Sequence, residues 1–162
     1  LRVRPQSFPQ IRLAQLAAVL QQSISLFSSI LEIEDIKQLR HFFQLNASDY
    51  WQSHYVFGKT SVQRSKFPGS HSLNVILINT VAPVLFAYGR KLDLQKYCDR
   101  SFSMLESLKP ECNSIVENFY NCGIIANNAL ETQALIQLKR EYCDKRKCLY
   151  CKIGYFLLSS KR

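Results

Sequence analysis

Apolar residues recur at spacings of three and four along almost the whole chain, and this pattern limits the fold more than any other feature. Pro9 opens the first such run, which continues through Leu16, Leu20 and Phe27. Strand signals are scarce, since the sequence has no sustained alternation and no Asn-Gly or Asp-Gly turn. The pattern predicts an all-α fold with about seven or eight helices around one core.

The composition is typical of one globular domain. The chain has 162 residues, of which 47% are hydrophobic, and it contains only five Gly and five Pro. This length and apolar content exclude disordered, collagen-like and linker sequence. We therefore expect residues 1–162 to form a single helical domain. Because the chain starts at Leu1 rather than at Met, we expect a fragment or a processed product.

The most apolar run extends from Leu73 to Tyr88 and includes 16 residues. A bilayer core needs roughly 20 such residues, and this run also contains Asn79 and Pro83. We expect a buried core helix there, and no membrane span. Since no apolar signal segment follows the N-terminal arginines, we expect a cytoplasmic protein.

The segment from Tyr50 to Phe57 precedes Gly58 and is predicted to be a short helix. Trp51 and His54 are three residues apart in it and would share one face. A lone histidine among aromatic residues is more often a packing residue than a ligand, so both interpretations of His54 stay open.

Three cysteines near the C-terminus, Cys143, Cys148 and Cys151, have the spacing C-x4-C-x2-C. A C-x2-C pair lets two thiolates reach one ion from a single turn, and the third cysteine ends the preceding helix. Tetrahedral zinc and a [4Fe-4S] cluster each need four ligands. The other candidate ligands are His54, Cys98, Cys112 and Cys122.

Several interpretations of this cluster stay open at this point. The helices that end at Cys122 and Cys143, if antiparallel, would place these two residues at opposite ends, which weakens Cys122 as a ligand. The cofactor is expected to be structural zinc, with an iron–sulfur cluster or no metal as alternatives. The cysteines are otherwise ordinary thiols or a redox dithiol, although the βαβ context of a thioredoxin-like pair is missing.

The C-terminal segment is strongly basic, with eight basic and two acidic residues from Lys139 to Arg162. Tyr142, Tyr150 and Tyr155 are interleaved with these charges. This combination indicates a phosphate-contacting surface or, more simply, a solvated face. The candidate nucleic-acid contacts are Lys139, Arg140, Lys145, Arg146, Lys147 and Lys152.

Four polar residues lie within strongly apolar helical patterns and are predicted to pair in the core: Arg12, Gln15, Asn79 and Gln133. No nucleophilic triad and no pair of carboxylates for acid–base chemistry is visible in the sequence. The chain therefore shows no catalytic constellation and no obvious small-molecule site.

The sequence resembles a bacterial family catalogued as domain of unknown function 2851, and the likeness extends over nearly the whole chain. It is carried by Arg4-Pro5, Phe8-Pro9, 12–17, 49–51, His54-Tyr55, Phe57-Gly58, 77–80, Pro83, 86–89, 133–138, Tyr142-Cys143, Cys148-Leu149, Cys151 and Ile153-Gly154. The resemblance implies that this chain is the C-terminal portion of a longer protein whose N-terminal part is nuclease-like. It also implies that the clustered cysteines belong to the family pattern, which favours His54 or a non-protein group as fourth ligand, with Cys122 as the alternative.

Two classes of function follow from these observations. The first is a non-catalytic, metal-stabilised helical module that binds nucleic acid or docks onto a partner, including its own missing N-terminal domain. The second is an iron–sulfur or redox-active part of a larger enzyme whose catalytic residues lie outside this chain. A plain helical interaction domain without metal is a third possibility.

Overall fold

Helix dominates the computed structural model, which describes residues 8–159, so the all-α class is confirmed. The chain divides into two compact units with the boundary between Ser101 and Phe102. The single domain over residues 1–162 stays a prediction. Arg4-Pro5, part of the family resemblance, and the basic residues Lys161 and Arg162 lie outside the described residues.

The first unit consists of short helices and one small hairpin. Its elements are α1 (Pro9–Gln22), α2 (Leu26–Glu32), α3 (Ile36–Phe43), α4 (Asp49–Gln52), β1 (His54–Val56), β2 (Lys59–Thr60), α5 (Ser70–Ile76), a π-helical segment (Leu77–Val81), α6 (Ala82–Leu92) and α7 (Gln95–Ser107), within which the boundary falls. The first predicted run is divided after Gln22, because the Ser25 side chain accepts a hydrogen bond from the Ser28 N–H and starts α2 there.

The helix that runs from Ser70 to Leu92 through the π-helical segment provides much of the first unit's core. Leu73, Leu77, Val81 and Leu85 in it are all buried. With a mean hydropathy of 1.5, it is long and apolar enough to cross a bilayer, a test that core helices of soluble proteins also pass. Its pattern therefore gives only weak evidence about a membrane.

The predicted helix from Tyr50 to Phe57 is wrong, because α4 ends at Gln52 and an antiparallel hairpin of β1 and β2 follows. Tyr55 and Val56 favour extended backbone, and Gly58 takes the left-handed conformation of the turn with φ of 70°. The Gly58 N–H donates to the Tyr50 hydroxyl at 3.1 Å and ties this turn to α4. Trp51 and His54 therefore do not share a helix face.

Two of the predicted polar core residues do pair. The Arg12 guanidinium donates to the Gln15 side chain at 3.0 Å and to the Ser72 hydroxyl at 2.7 Å. Gln15 is buried and donates to the backbone carbonyl of Lys66 at 2.5 Å. Asn79, by contrast, is exposed and donates to the carbonyl of Val75 one turn earlier, so its place in the core was predicted wrongly.

The second unit is also helical and has a small core. After the end of α7 it contains α8 (Ser114–Asn121), α9 (Ala129–Gln137), a π-helical segment (Leu138–Cys143), a 3₁₀ turn (Cys148–Tyr150) and α10 (Lys152–Ser159). The Asn128 side chain accepts from the Glu131 N–H at 2.9 Å and caps α9. Gln133 is half-buried and donates to the Glu111 carboxylate.

Candidate functional site: the cysteine pocket and the basic turn

A tight turn joins the π-helical segment to the 3₁₀ turn. Arg146 in it takes the left-handed conformation with φ of 52°. The Lys147 N–H donates to the Tyr142 carbonyl at 2.9 Å, and the Arg146 N–H donates to the Cys143 carbonyl at 3.1 Å. These bonds fold the chain back on itself immediately before Cys148.

The C-x2-C pair forms one 3₁₀ turn directly before α10. The Cys151 N–H donates to the Cys148 carbonyl at 3.2 Å, and the Tyr155 N–H donates to the Cys151 carbonyl at 2.7 Å. Gly154 packs against the turn so closely that a β-carbon there would lie 2.5 Å from the Cys148 carbonyl oxygen. The absence of a side chain at Gly154 is therefore what allows the turn to rest on the first turn of α10.

All three clustered cysteines line one pocket of about 230 Å³. Cys143 and Cys148 are exposed, and Cys151 is half-buried. The remaining lining residues are mainly apolar: Phe119, Ile124, Leu138, Tyr142, Ile153, Gly154 and Leu157. The structure thus brings the three residues of the predicted motif to one apolar site.

The predicted tetrahedral ligand set is not assembled in the described part of the chain. Residues 8–159 contain no group of three or more His, Cys, Asp or Glu side chains positioned to hold a metal ion. His54 lies in the first unit, where its Nδ1 is 2.8 Å from the Tyr50 carbonyl oxygen and its ring stacks on Tyr50 at 4.0 Å. Zinc, an iron–sulfur cluster and the role of His54 stay predictions.

The helices α8 and α9 are not arranged as an antiparallel hairpin. The Glu111 N–H, before the start of α8, donates to the Thr132 hydroxyl in the first turn of α9. Phe119, near the end of α8, lines the cysteine pocket with Leu138, which follows the end of α9. The end of α8 therefore lies at the same end of the unit as the clustered cysteines. The expectation that Cys122 and Cys143 lie at opposite ends of the unit is therefore wrong. Cys122 is nevertheless exposed and is not among the residues that line the cysteine pocket.

The six predicted basic contacts fall into two groups. Lys139 pairs with Asp144, and Lys145 pairs with Glu141. The hydrogen bond from Lys145, and then its charge, lower the pKa of Glu141 below the usual value. The other four side chains are exposed and have no ion pair within residues 8–159: Arg140, Arg146, Lys147 and Lys152.

A second, more polar pocket of about 600 Å³ opens beside the basic turn. It is lined by Gln137, Glu141, Tyr142, Lys147 and Tyr150. The side chain of Tyr150 is 83% exposed. The interleaving of tyrosine and lysine in the sequence signalled the composition of this pocket, whereas its concave shape depends on the turn that brings Lys147 back towards Tyr142.

Helix α10 exposes most of its apolar side chains. Ile153, Tyr155, Leu157 and Leu158 are between 55% and 62% exposed. The sequence predicted an apolar helix here, and such a helix is either buried or covered by a partner. The sequence alone did not distinguish these two cases.

The sequence pattern of the family described as "Protein of unknown function (DUF2851)" matches residues 1–114. The match ends before α9, so the cysteine cluster lies beyond the matched stretch, and the likeness is shorter than the near-complete coverage expected from the sequence. No curated protein and no solved structure matches the chain significantly. Since the match covers well over half of its length, the chain belongs to the DUF2851 family.

Proposed function

We propose that this chain is a non-catalytic helical module whose second unit binds single-stranded nucleic acid. The observation that carries the proposal is the pocket at the basic turn, which combines Tyr142 and Tyr150 with Lys147. Bases stack on aromatic side chains in such sites, and cations track the phosphates. A single strand suits this pocket better than a duplex, because stacking on tyrosine requires an unpaired base.

The charges around the pocket support the same ligand. Lys147 lines the pocket, and Arg140, Arg146 and Lys152 are exposed cations nearby in sequence without an ion pair in the described chain. Glu141 also lines the pocket, and besides the hydrogen bond from Lys145 the charge of Lys147 contributes to the lowered pKa of this carboxylate. A cation without an ion pair is available for a phosphate, whereas Lys139 and Lys145 must first release their partners. The four cations that form no ion pair among residues 8–159 are therefore the principal phosphate contacts in this proposal.

The test is binding of a fluorescent single-stranded oligonucleotide to the full chain at several salt concentrations. Replacing Tyr150 with Ala should weaken binding about tenfold, since stacking contributes roughly 1–3 kcal/mol per base. K147Q should weaken binding and reduce the slope of affinity against salt, because one phosphate contact is lost.

Matched controls separate the pocket from general effects of charge and aromatic surface. Tyr120 in α8 is also exposed, at 62%, and does not line this pocket, so Y120A should bind as the unchanged chain does. K91Q removes the same charge from an exposed position in α6 and should have little effect. Equal losses in Y150A and Y120A, or no binding at low salt, would refute the proposal.

Metal stabilisation is a separate part of this proposed function. The candidate ligands are Cys143, Cys148 and Cys151 with His54, or with Cys122 in its place, and zinc would serve as a structural cross-link. Elemental analysis of anaerobically purified chain should then give one zinc per chain, and C148S should lower the melting temperature. A metal-free chain whose melting temperature is unchanged by C148S would reject structural zinc.

A second candidate function is favoured by the single pocket that the three clustered cysteines share. In this alternative the chain is the iron–sulfur or redox-active part of a larger enzyme with its catalytic residues elsewhere. An iron–sulfur cluster would colour the anaerobic protein brown and contribute about four irons per chain. Colourless, iron-free protein would exclude the cluster.

A further inference from the structure

We propose that Cys148 and Cys151 form a dithiol site that a low-molecular-weight disulfide converts reversibly into an intramolecular disulfide. The site needs only two sulfur atoms, so it agrees with the finding that residues 8–159 hold no group of three metal-binding side chains. The inference deepens the redox-active alternative given above and is independent of nucleic-acid binding. Because structural zinc would occupy the same two thiolates, the dithiol and the zinc site exclude one another.

The backbone of the C-x2-C turn brings the two residues to a suitable separation. In a 3₁₀ turn the side chains of residues i and i+3 lie above one another, with a rise of about 6 Å over the three residues. This separation falls within the range of Cα distances that a disulfide spans, roughly 4.4–6.8 Å. The bond from the Cys151 N–H to the Cys148 carbonyl, 3.2 Å long, closes this turn.

The turn is held in place and open to a small reagent. Gly154 contacts the Cys148 backbone so closely that no β-carbon fits between them, which fixes the turn against α10. Both sulfur-bearing side chains line the same apolar pocket, and Cys148 is exposed whereas Cys151 is half-buried. Because access governs which thiol reacts first, Cys148 is the attacking residue and Cys151 the resolving residue.

The reaction balances as two thiol–disulfide exchanges. Cys148, as its thiolate, attacks one sulfur of the small disulfide, whose S–S bond breaks and whose other half leaves as a thiolate that takes up a proton. Cys151, as its thiolate, then attacks the Cys148 sulfur and releases the second half in the same way. Two protein thiols are oxidised to one disulfide, and the small disulfide is reduced to two thiols.

To test this, the reduced full chain is treated with oxidised glutathione, the remaining thiols are alkylated, and the peptides are analysed by mass spectrometry. We expect the loss of two of the six thiols, a peptide that joins Cys148 to Cys151, and full recovery with a dithiol reductant. C151S should instead accumulate a glutathione adduct on Cys148, because the resolving thiol is missing. C112S and C122S, which remove exposed cysteines outside the pocket, should form the disulfide as the unchanged chain does.

A second variant tests the geometry without removing a sulfur atom. G154A would place a β-carbon 2.5 Å from the Cys148 carbonyl oxygen and so displace the turn that holds the two sulfur atoms at disulfide distance. The equilibrium constant for disulfide formation should therefore fall. G69A is the matched control, since a β-carbon at Gly69 meets no atom within 4 Å. A disulfide from Cys143, a stable glutathione adduct on the unchanged chain, an undiminished disulfide in G154A, or a zinc ion that leaves on oxidation would each overturn the proposal.

Discussion

The two units differ most in how far they bury their large side chains. The first unit buries residues from nearly every helix, among them Ile11, Leu39, Leu77 and Leu85, each at most 1% exposed. The second unit buries little: among its described residues only Met104, Leu108, Ala129 and Thr132 are buried. Many of its apolar residues lie instead on the surface of α10 and around the cysteine pocket.

Buried polar groups show the same contrast. In the first unit the ammonium group of Lys66, a residue only 3% exposed, donates to the carbonyls of Gln52 and Arg64 and lies 3.9 Å from the centre of the Tyr55 ring. In the second unit Lys147 and Lys152 face solvent. Lys66 thus completes the packing of the first unit, whereas the charges of Lys147 and Lys152 remain accessible in the second.

The largest change in stability is expected when one leucine from each unit is replaced with alanine. Leu85 is fully buried in α6, so L85A should lower the free energy of unfolding by about 2–5 kcal/mol, through lost burial and the cavity left behind. Leu157 in α10 is 61% exposed, and L157A should change the free energy of unfolding by less than about 0.5 kcal/mol. Urea denaturation measures both. A similar loss of stability in L157A would show that α10 is covered in solution, and would contradict the difference in burial between the two units.

The next largest change in stability is expected when one arginine from each unit is replaced with methionine. Arg100 donates to the carbonyls of Ile30 and Leu31 at 2.9 Å each and to that of Ile33, and so completes the end of α2. Burial lowers the pKa of Arg100, yet arginine keeps its charge at neutral pH. R100M leaves these carbonyls without a donor and should cost about 1.5–3 kcal/mol of stability in urea denaturation.

The matched variant in the second unit is R146M. The Arg146 side chain is exposed and has no ion pair among the residues described, so its removal should leave the unfolding midpoint nearly unchanged. If R146M proved as destabilising as R100M, the accessible cations of the second unit would be structural, and the comparison between the units would fail.

The smallest effect concerns the pairing of Glu141 with Lys145. Because the folded pKa of Glu141 is lowered, the pair stabilises the helix fully above the ordinary carboxyl pKa of about 4, and this contribution disappears as pH falls through the lowered pKa. E141Q should therefore show slightly less helix by circular dichroism than the unchanged chain at pH 7, and equal helix in strong acid. E106Q, which removes an exposed carboxylate without an ion pair in the described chain, should show no such pH-dependent difference.

Local patterns in the sequence were enough to predict most helices but not their interruptions. Asn128 and Glu131 specified the start of α9, because a cap and its bonding partner are only three residues apart. The hairpin at His54–Val56 was missed, since a strand of three residues is too short for an alternating pattern to appear. Asn79 lies in an apolar helix, yet only the packing of that helix decides which side faces solvent.

From the sequence alone it was possible to infer a mainly helical chain, its membership of the DUF2851 family and the concentration of cysteines and cations near the C-terminus. These features depend on local periodicity, composition and spacing. The tertiary structure was needed to show that Cys143, Cys148 and Cys151 share one pocket. It also showed that Lys145 forms an ion pair, whereas Lys147 forms none among the described residues. It also decided that α10 is exposed. The physical reason is that burial and pairing depend on neighbours distant in sequence, which no local pattern specifies.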